Sequence, residues 1–117
     1  IKEKFNVPLI KGIGVEKDMN LKKIIKPYEE ICDILILDAP SKELPGGNGK
    51  KFNWDILKDH TSQKKWMLAG GLNIKNIKDA IDVTNPPAID ISSGLETNKG
   101  VKDPQLIKNF VLKCRNL

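Results

Sequence analysis

The sequence predicts an α/β fold of parallel β–α units, on three observations. Apolar, β-branched runs recur four times, each is followed by a helical apolar repeat, and the turns between them are short and glycine-rich. Parallel strands need a crossover between them, and the repeats supply helices for it. Residues 1–117 read as one structural unit, or part of one, with no linker, low-complexity stretch or charge block.

The elements follow in order. Val7 to Val15 is the first strand, closed by Gly12 and Gly14. A helix from Asp18 sets Leu21, Ile24, Ile25 and Tyr28 on one side, and Pro27 within it is expected to kink or end it. Asp33 to Asp38 is a continuous apolar run, as suits a strand covered on both faces. A glycine-rich loop and a helix over Trp54 to His60 come next. Trp66 to Ala69 is the third strand, stopped by Gly70 and Gly71, after which Asn73 caps a helix carrying Ile74, Ile77, Ala80 and Ile81. Ala88 to Ser92 is the fourth strand. Asp103 and Pro104 supply a cap and a first helical position, and Leu106, Ile107, Phe110, Val111 and Cys114 make the last helix amphipathic.

Of the 117 residues 39% are hydrophobic and 30% charged, with a formal net charge of +5. The lysines are scattered among Asp and Glu without aromatic interleaving, which favours a solvated surface over a nucleic-acid face. No 18-residue apolar run and no charged-then-apolar leader occurs, so neither a membrane span nor export is expected. Cys32 and Cys114 form no Cys-x-x-Cys pair, which fits a reducing cytoplasm rather than a disulfide framework or zinc site. His60, the only histidine, is expected at the surface. Opening on Ile-Lys-Glu-Lys without Met, the chain reads as the interior of a longer protein.

Alternate strand residues face opposite ways, so Ile34, Ile36 and Asp38 share one face and Leu35 and Leu37 the other. Desolvation by Ile and Leu favours a carboxyl's protonated form, which suits a general acid at this strand end. Asp38 is also well placed to cap the turn Ala39-Pro40, and the residue alone does not choose. Asp90 stands between Ile89 and Ile91, where a carboxylate is costly unless paired or functional; hydrogen bonding to a neighbouring loop is the structural alternative.

Gly70-Gly71 and Ser92-Ser93-Gly94 end consecutive strands. Glycine lets main-chain amides approach an anion, and in (β/α)₈ barrels phosphate is often bound by the loops after the seventh and eighth strands. Either turn alone is ordinary turn chemistry; together they favour phosphate. The loop Pro45 to Lys51 is no nucleotide P-loop, because Leu44 stands where the first Gly is required and Lys51 where Ser or Thr is. It reads as a flexible loop over a ligand or an exposed turn.

Taken together these segments resemble the C-terminal half of the phosphoribosylanthranilate isomerase family, a (β/α)₈ TIM barrel. The resemblance rests on Ile36-Leu37-Asp38, the loop Gly46-Gly47-Asn48-Gly49-Lys50-Lys51-Phe52-Asn53-Trp54, Ala69 to Asn73, then Asp90, Ser92, Ser93, Gly94 and Glu96, and finally Gly100, Lys102 and Asp103. It implies four strands and four helices of the barrel. It also implies an Amadori rearrangement of N-(5-phosphoribosyl)anthranilate in tryptophan biosynthesis, without metal or organic cofactor. Asp38 would be the acid, Asp90, Gly47 and Gly49 would lie by the substrate, and Gly70, Gly71, Ser92, Ser93 and Gly94 would hold its phosphate. Asn48 replaces the family's Ser/Thr and Asn53 its Asp. The family's general base, a cysteine in a Cys-Gly motif, has no counterpart in the chain.

Four strands cannot close a barrel that needs about eight. The chain alone is therefore expected to be inactive and to require a missing N-terminal half-barrel or self-association. An inert phosphate-binding half-barrel is the competing reading. Indole-glycerol-phosphate synthase or a ribulose-phosphate epimerase would require a lysine acid or metal ligands, which Asp38 and its glycine loop do not match.

Overall fold

The structure is a computed structural model and describes residues 7–16, 19–39, 41–43, 50–52, 54–58, 60–62 and 64–117. Four parallel strands form the main sheet: β1 (Ile10–Gly14), β2 (Ile34–Asp38), β5 (Lys65–Ala69) and β6 (Ala88–Ile89), in the order β1-β2-β5-β6. Three α-helices follow strands: α1 (Leu21–Ile31), α2 (Ile77–Thr84) and α3 (Pro104–Arg115). Two antiparallel ribbons, β3 (Ser41–Glu43) with β4 (Lys50–Phe52) and β7 (Glu96–Asn98) with β8 (Val101–Lys102), are additions that the apolar pattern did not announce.

Strand polarity decides where the core lies. Leu35 and Leu37 of β2 and Leu68 of β5 are fully buried, packed in one cluster with Leu21 and Ile25 of α1 and Ile77 and Ala80 of α2. Each such leucine contributes about 2 kcal/mol by leaving water, so this layer holds the helices to the sheet. On the opposite face Ile34, Ile36 and Met67 are half-buried and Ile10 is 57% exposed. β2 is thus covered fully on one face, not both as expected of it.

Four other expectations change. Pro27 does not end α1, which runs on to Ile31. Pro27 and Lys23, whose carbonyl loses the i→i−4 donor, are both exposed, so water can satisfy the freed oxygen. In place of a second helix after Trp54 there is one 3₁₀ turn, Trp54–Leu57, anchored by buried Trp54 and Leu57, so among the described residues three α-helices stand where four were expected. β6 is two residues long, because after Ile89 only the Asp90 N–H continues the ladder, donating to Leu68 O at 2.8 Å. His60 is half-buried rather than free at the surface: its ring meets Trp66 edge-on at 5.2 Å and its Nε2 is buried without a hydrogen-bond partner among the described residues.

The Asp103 cap behaves as read, whereas Asn73 caps only a turn, and α2 begins at Ile77 after Asn76. Asp103 accepts from Gln105 N at 2.8 Å, with Pro104 at the first position of α3. Of the apolar residues of α3 only Phe110 is buried, while Ile107 (38%) and Val111 (39%) stay exposed. Together with Ile89, Ile91, Leu95 and Cys114 they line an open apolar groove of about 360 Å³. Among the described residues, β1 and β6 each pair on one side only.

Candidate active site

The parallel register brings Gly14, Asp38 and Ala69 level at the strand tips. Main-chain hydrogen bonds carry the ladder one step further, from Val15 N to Asp38 O at 2.7 Å and from Ala39 N to Ala69 O at 3.0 Å. Asp38 and Asp90 are both exposed, and no described residue donates a hydrogen bond to either carboxylate. The apolar enclosure expected around Asp38 is absent from the chain as described.

Gly70 has φ +105°, and a Cβ on it would stand 2.6 Å from Asp38 Oδ1 and 2.9 Å from the Ala39 carbonyl. Only glycine lets this turn cross so near the carboxylate. Gly71, at φ +63°, continues the left-handed path. Beyond it, Asn73 and Asn76 lock the loop reciprocally. Asn73 Oδ1 accepts from Lys75 N at 2.8 Å and Asn76 N at 3.0 Å, while Asn76 Oδ1 accepts from Asn73 N at 2.8 Å and Asn76 Nδ2 donates to Gly71 O at 2.9 Å. Asn73 therefore caps a turn over 74–76 that leads into α2. Asn76 escaped sequence reasoning, although the Asn-x-x-Asn spacing was a signal.

The turn Ser93–Leu95 lies against this loop, with Gly94 packed on the Leu72 carbonyl. Between the two turns opens a cleft of about 200 Å³, lined by Asp38, Asp90, Gly70, Gly71, Ser92 and Ser93. Six of the nine residues singled out in the sequence thus meet, and Gly94 braces them from behind. Gly47 and Gly49 lie outside the described residues, as do Asn48 and Asn53.

Lys102 was read only as part of a motif. The β7–β8 ribbon turns it back so that Nζ donates to Ser92 Oγ at 3.2 Å and pairs with Glu96 Oε2, while Glu96 Oε1 accepts from Gly100 N at 2.9 Å. The Lys102 ammonium, helped by the Gly100 N–H, holds the Glu96 carboxyl below its ordinary value.

Residues 2–113 match the sequence family described as N-(5'-phosphoribosyl)anthranilate (PRA) isomerase. The chain belongs to the PRA isomerase family. It is 45% identical over 118 residues to the N-(5'-phosphoribosyl)anthranilate isomerase of Mesorhizobium japonicum, covering 98% of this chain and 53% of that protein. The fold matches phosphoribosyl anthranilate isomerase of Thermotoga maritima with a TM-score of 0.75 and 34% identity, over 99% of this chain and 55% of that one. A second solved isomerase, 30% identical with a TM-score of 0.72 over 99% of this chain and 53% of its own, is described in complex with reduced 1-(o-carboxyphenylamino)-1-deoxyribulose 5-phosphate. The four parallel strands are thus of the TIM-barrel type. The chain spans about half the length of the PRA isomerases it matches.

Against the PRA isomerase frame, neither cysteine reaches the cleft. Cys32 is buried beside the start of β2, at the opposite end of the strand from Asp38, and Cys114 lies on α3 in the apolar groove. Burial pushes the Cys114 thiol above its ordinary value, which opposes thiolate chemistry.

Proposed function

We propose that this chain carries the proton-donor and phosphate ends of a site that converts N-(5'-phosphoribosyl)anthranilate to 1-(o-carboxyphenylamino)-1-deoxyribulose 5-phosphate, a step of tryptophan biosynthesis. One observation supports this above the rest: both carboxylates and both Gly/Ser turns open on one cleft at the carboxyl ends of parallel strands. The phosphate lies against the main-chain N–H groups of the turns after β5 and β6, where Gly70 and Gly71 carry no Cβ. Asp38 donates a proton to the ribose ring oxygen. The C1–O bond then breaks and the anthranilate nitrogen lone pair forms the Schiff base. Loss of the C2 proton to a base gives an enolamine, which tautomerises to the ketose. Electrons move from C2 to C1 within one molecule, so no redox partner or cofactor is needed. Asp90, across the cleft, orients the substrate's hydroxyl groups as an acceptor.

The base comes from outside the cleft described here, since neither thiol lines it. The edges of β1 and β6 that no described strand pairs, the half-bare inner face and the apolar groove on α3 support completion by a further half-barrel. We assign the complementary half of a longer protein to that place, with a second copy of this chain as the competing occupant. Two cysteines without a bonded partner, one buried and one half-buried, favour the reducing cytoplasm as its setting.

The experiment is Asp38→Asn in the intact protein, with turnover and calorimetric binding of the reduced product analogue measured side by side. Turnover is expected to fall by about 10²- to 10⁴-fold, the range of a lost general acid, with binding little changed. Turnover equal to that of the parent removes the acid role. Analogue binding by the parent without any turnover favours the inert phosphate-binding module instead.

A further inference from the structure

We propose that Lys102 is a positioning residue that holds the Ser92 hydroxyl as a hydrogen-bond donor aimed at an oxygen of the ligand's phosphate. The proposal rests on the phosphate reading of the cleft. Its chemistry starts from donor counting. An ammonium has three hydrogens and no lone pair, so in the 3.2 Å contact Lys102 donates and Ser92 Oγ accepts. The Ser92 hydrogen must then point elsewhere. No described residue accepts it, and Ser92 lines the cleft.

Charge supports the same assignment. The cleft presents two carboxylates, Asp38 and Asp90, and among the described residues no cationic side chain lines it. An entering phosphate is repelled by both unless positive charge lies close behind the wall. Lys102 supplies it at one remove, and a cation bonded to a hydroxyl oxygen strengthens that hydroxyl as a donor. Glu96, only 13% exposed, fixes Lys102 without entering the cleft, and is itself fixed by the Gly100 N–H at the ribbon's turn. Gly100 has φ +81°, which a side chain would disfavour. The ribbon therefore returns a lysine ten residues along the chain to the serine that opens the turn after β6.

The test uses the intact protein and two probes, the reduced product analogue and its dephosphorylated counterpart, with affinities measured for the parent, Lys102→Met, Lys102→Arg, Ser92→Ala and the double variant Lys102→Met/Ser92→Ala. The parent should prefer the phosphorylated probe. Lys102→Met should lose about tenfold of that preference, in keeping with hydrogen bonds to charged groups, and raise KM while leaving kcat near the parent's. Lys102→Arg, still a donor, should keep most of it. Ser92→Ala should lose as much as Lys102→Met, and the double variant no more than either, since the two act as one unit. Full phosphate preference in Lys102→Met or in Ser92→Ala overturns the proposal and leaves the phosphate reading standing. Should Lys102→Met fail to fold, Ser92→Ala and Lys102→Arg decide the matter. A parent with no preference for the phosphorylated probe overturns the phosphate reading and this proposal together.

Discussion

Gly94 sits so close to Leu72 that a Cβ built on it would overlap the Leu72 carbonyl oxygen and stand 3.0 Å from the Asn73 Cα. Its φ is not positive, so what the position demands is space rather than a left-handed backbone. This approach fastens the turn after β6 to the turn after β5 and gives the cleft its two walls.

Gly94→Ala should therefore force the walls apart, because the obstructing atoms are backbone and cannot swing aside. The expected loss is about 1–3 kcal/mol of stability, the usual range for overpacking, with weaker binding of the reduced product analogue. Urea unfolding and calorimetry would measure the two effects. An unchanged midpoint would mean that the turns pack independently.

Pro27→Ala should stabilise the protein. The substitution restores an N–H for the Lys23 carbonyl at an exposed site in the interior of α1. Helix propensity puts the gain at up to about 3 kcal/mol, reduced by up to about 1 kcal/mol as the unfolded chain regains freedom. A lowered urea midpoint would show instead that the proline ring makes packing contacts that α1 needs.

Stability should fall as the medium is acidified through the histidine range. Burial holds the His60 pKa below its ordinary 6.5, outweighing the pull of Glu29 upward, while Lys22 adds to the lowering. The folded state thus prefers neutral His60, and between the folded and unfolded values the unfolded chain binds more protons. The neutral-form contribution is complete above 6.5 and is lost as pH drops through the lower, folded value. Unfolding free energies from about pH 7.5 to 5.5, where ordinary carboxylates stay ionised, isolate this slope. His60→Gln should flatten it; an equal slope in that variant assigns the effect elsewhere.

Local chemistry was legible wherever cause and effect lie within a few residues. The Asp103 carboxylate reaches Gln105 N two positions on, so the start of α3 could be read directly. The alternation through Ile34 to Asp38 gave away which side chains meet the helices, and the buried pair Leu35 and Leu37 confirms it. Gly70 and Gly71 marked a turn because their positive φ values suit few other residues. Pro27 does not end the helix for a related reason: its local penalty is real, but an amphipathic helix anchored by Leu21 and Ile25 continues past it on the solvent side. The helix expected after Trp54 failed the other way, since burial of Trp54 and Leu57 is met by a single 3₁₀ turn.

The order of the parallel strands and the glycine turn that closes β5 follow from the sequence itself, because periodicity and turn chemistry act between near neighbours. Only the tertiary structure decided that Gly94 lies on Leu72, that Lys102 meets Ser92, that Asn76 ties back to Gly71 and that Asp38 stands open to solvent. The first two join segments many residues apart or bring a ribbon back on itself, and the exposure of Asp38 depends on which surfaces happen to be covered. Such relations are set by the shared packing of the sheet and its loops, to which no short window of residues carries the answer.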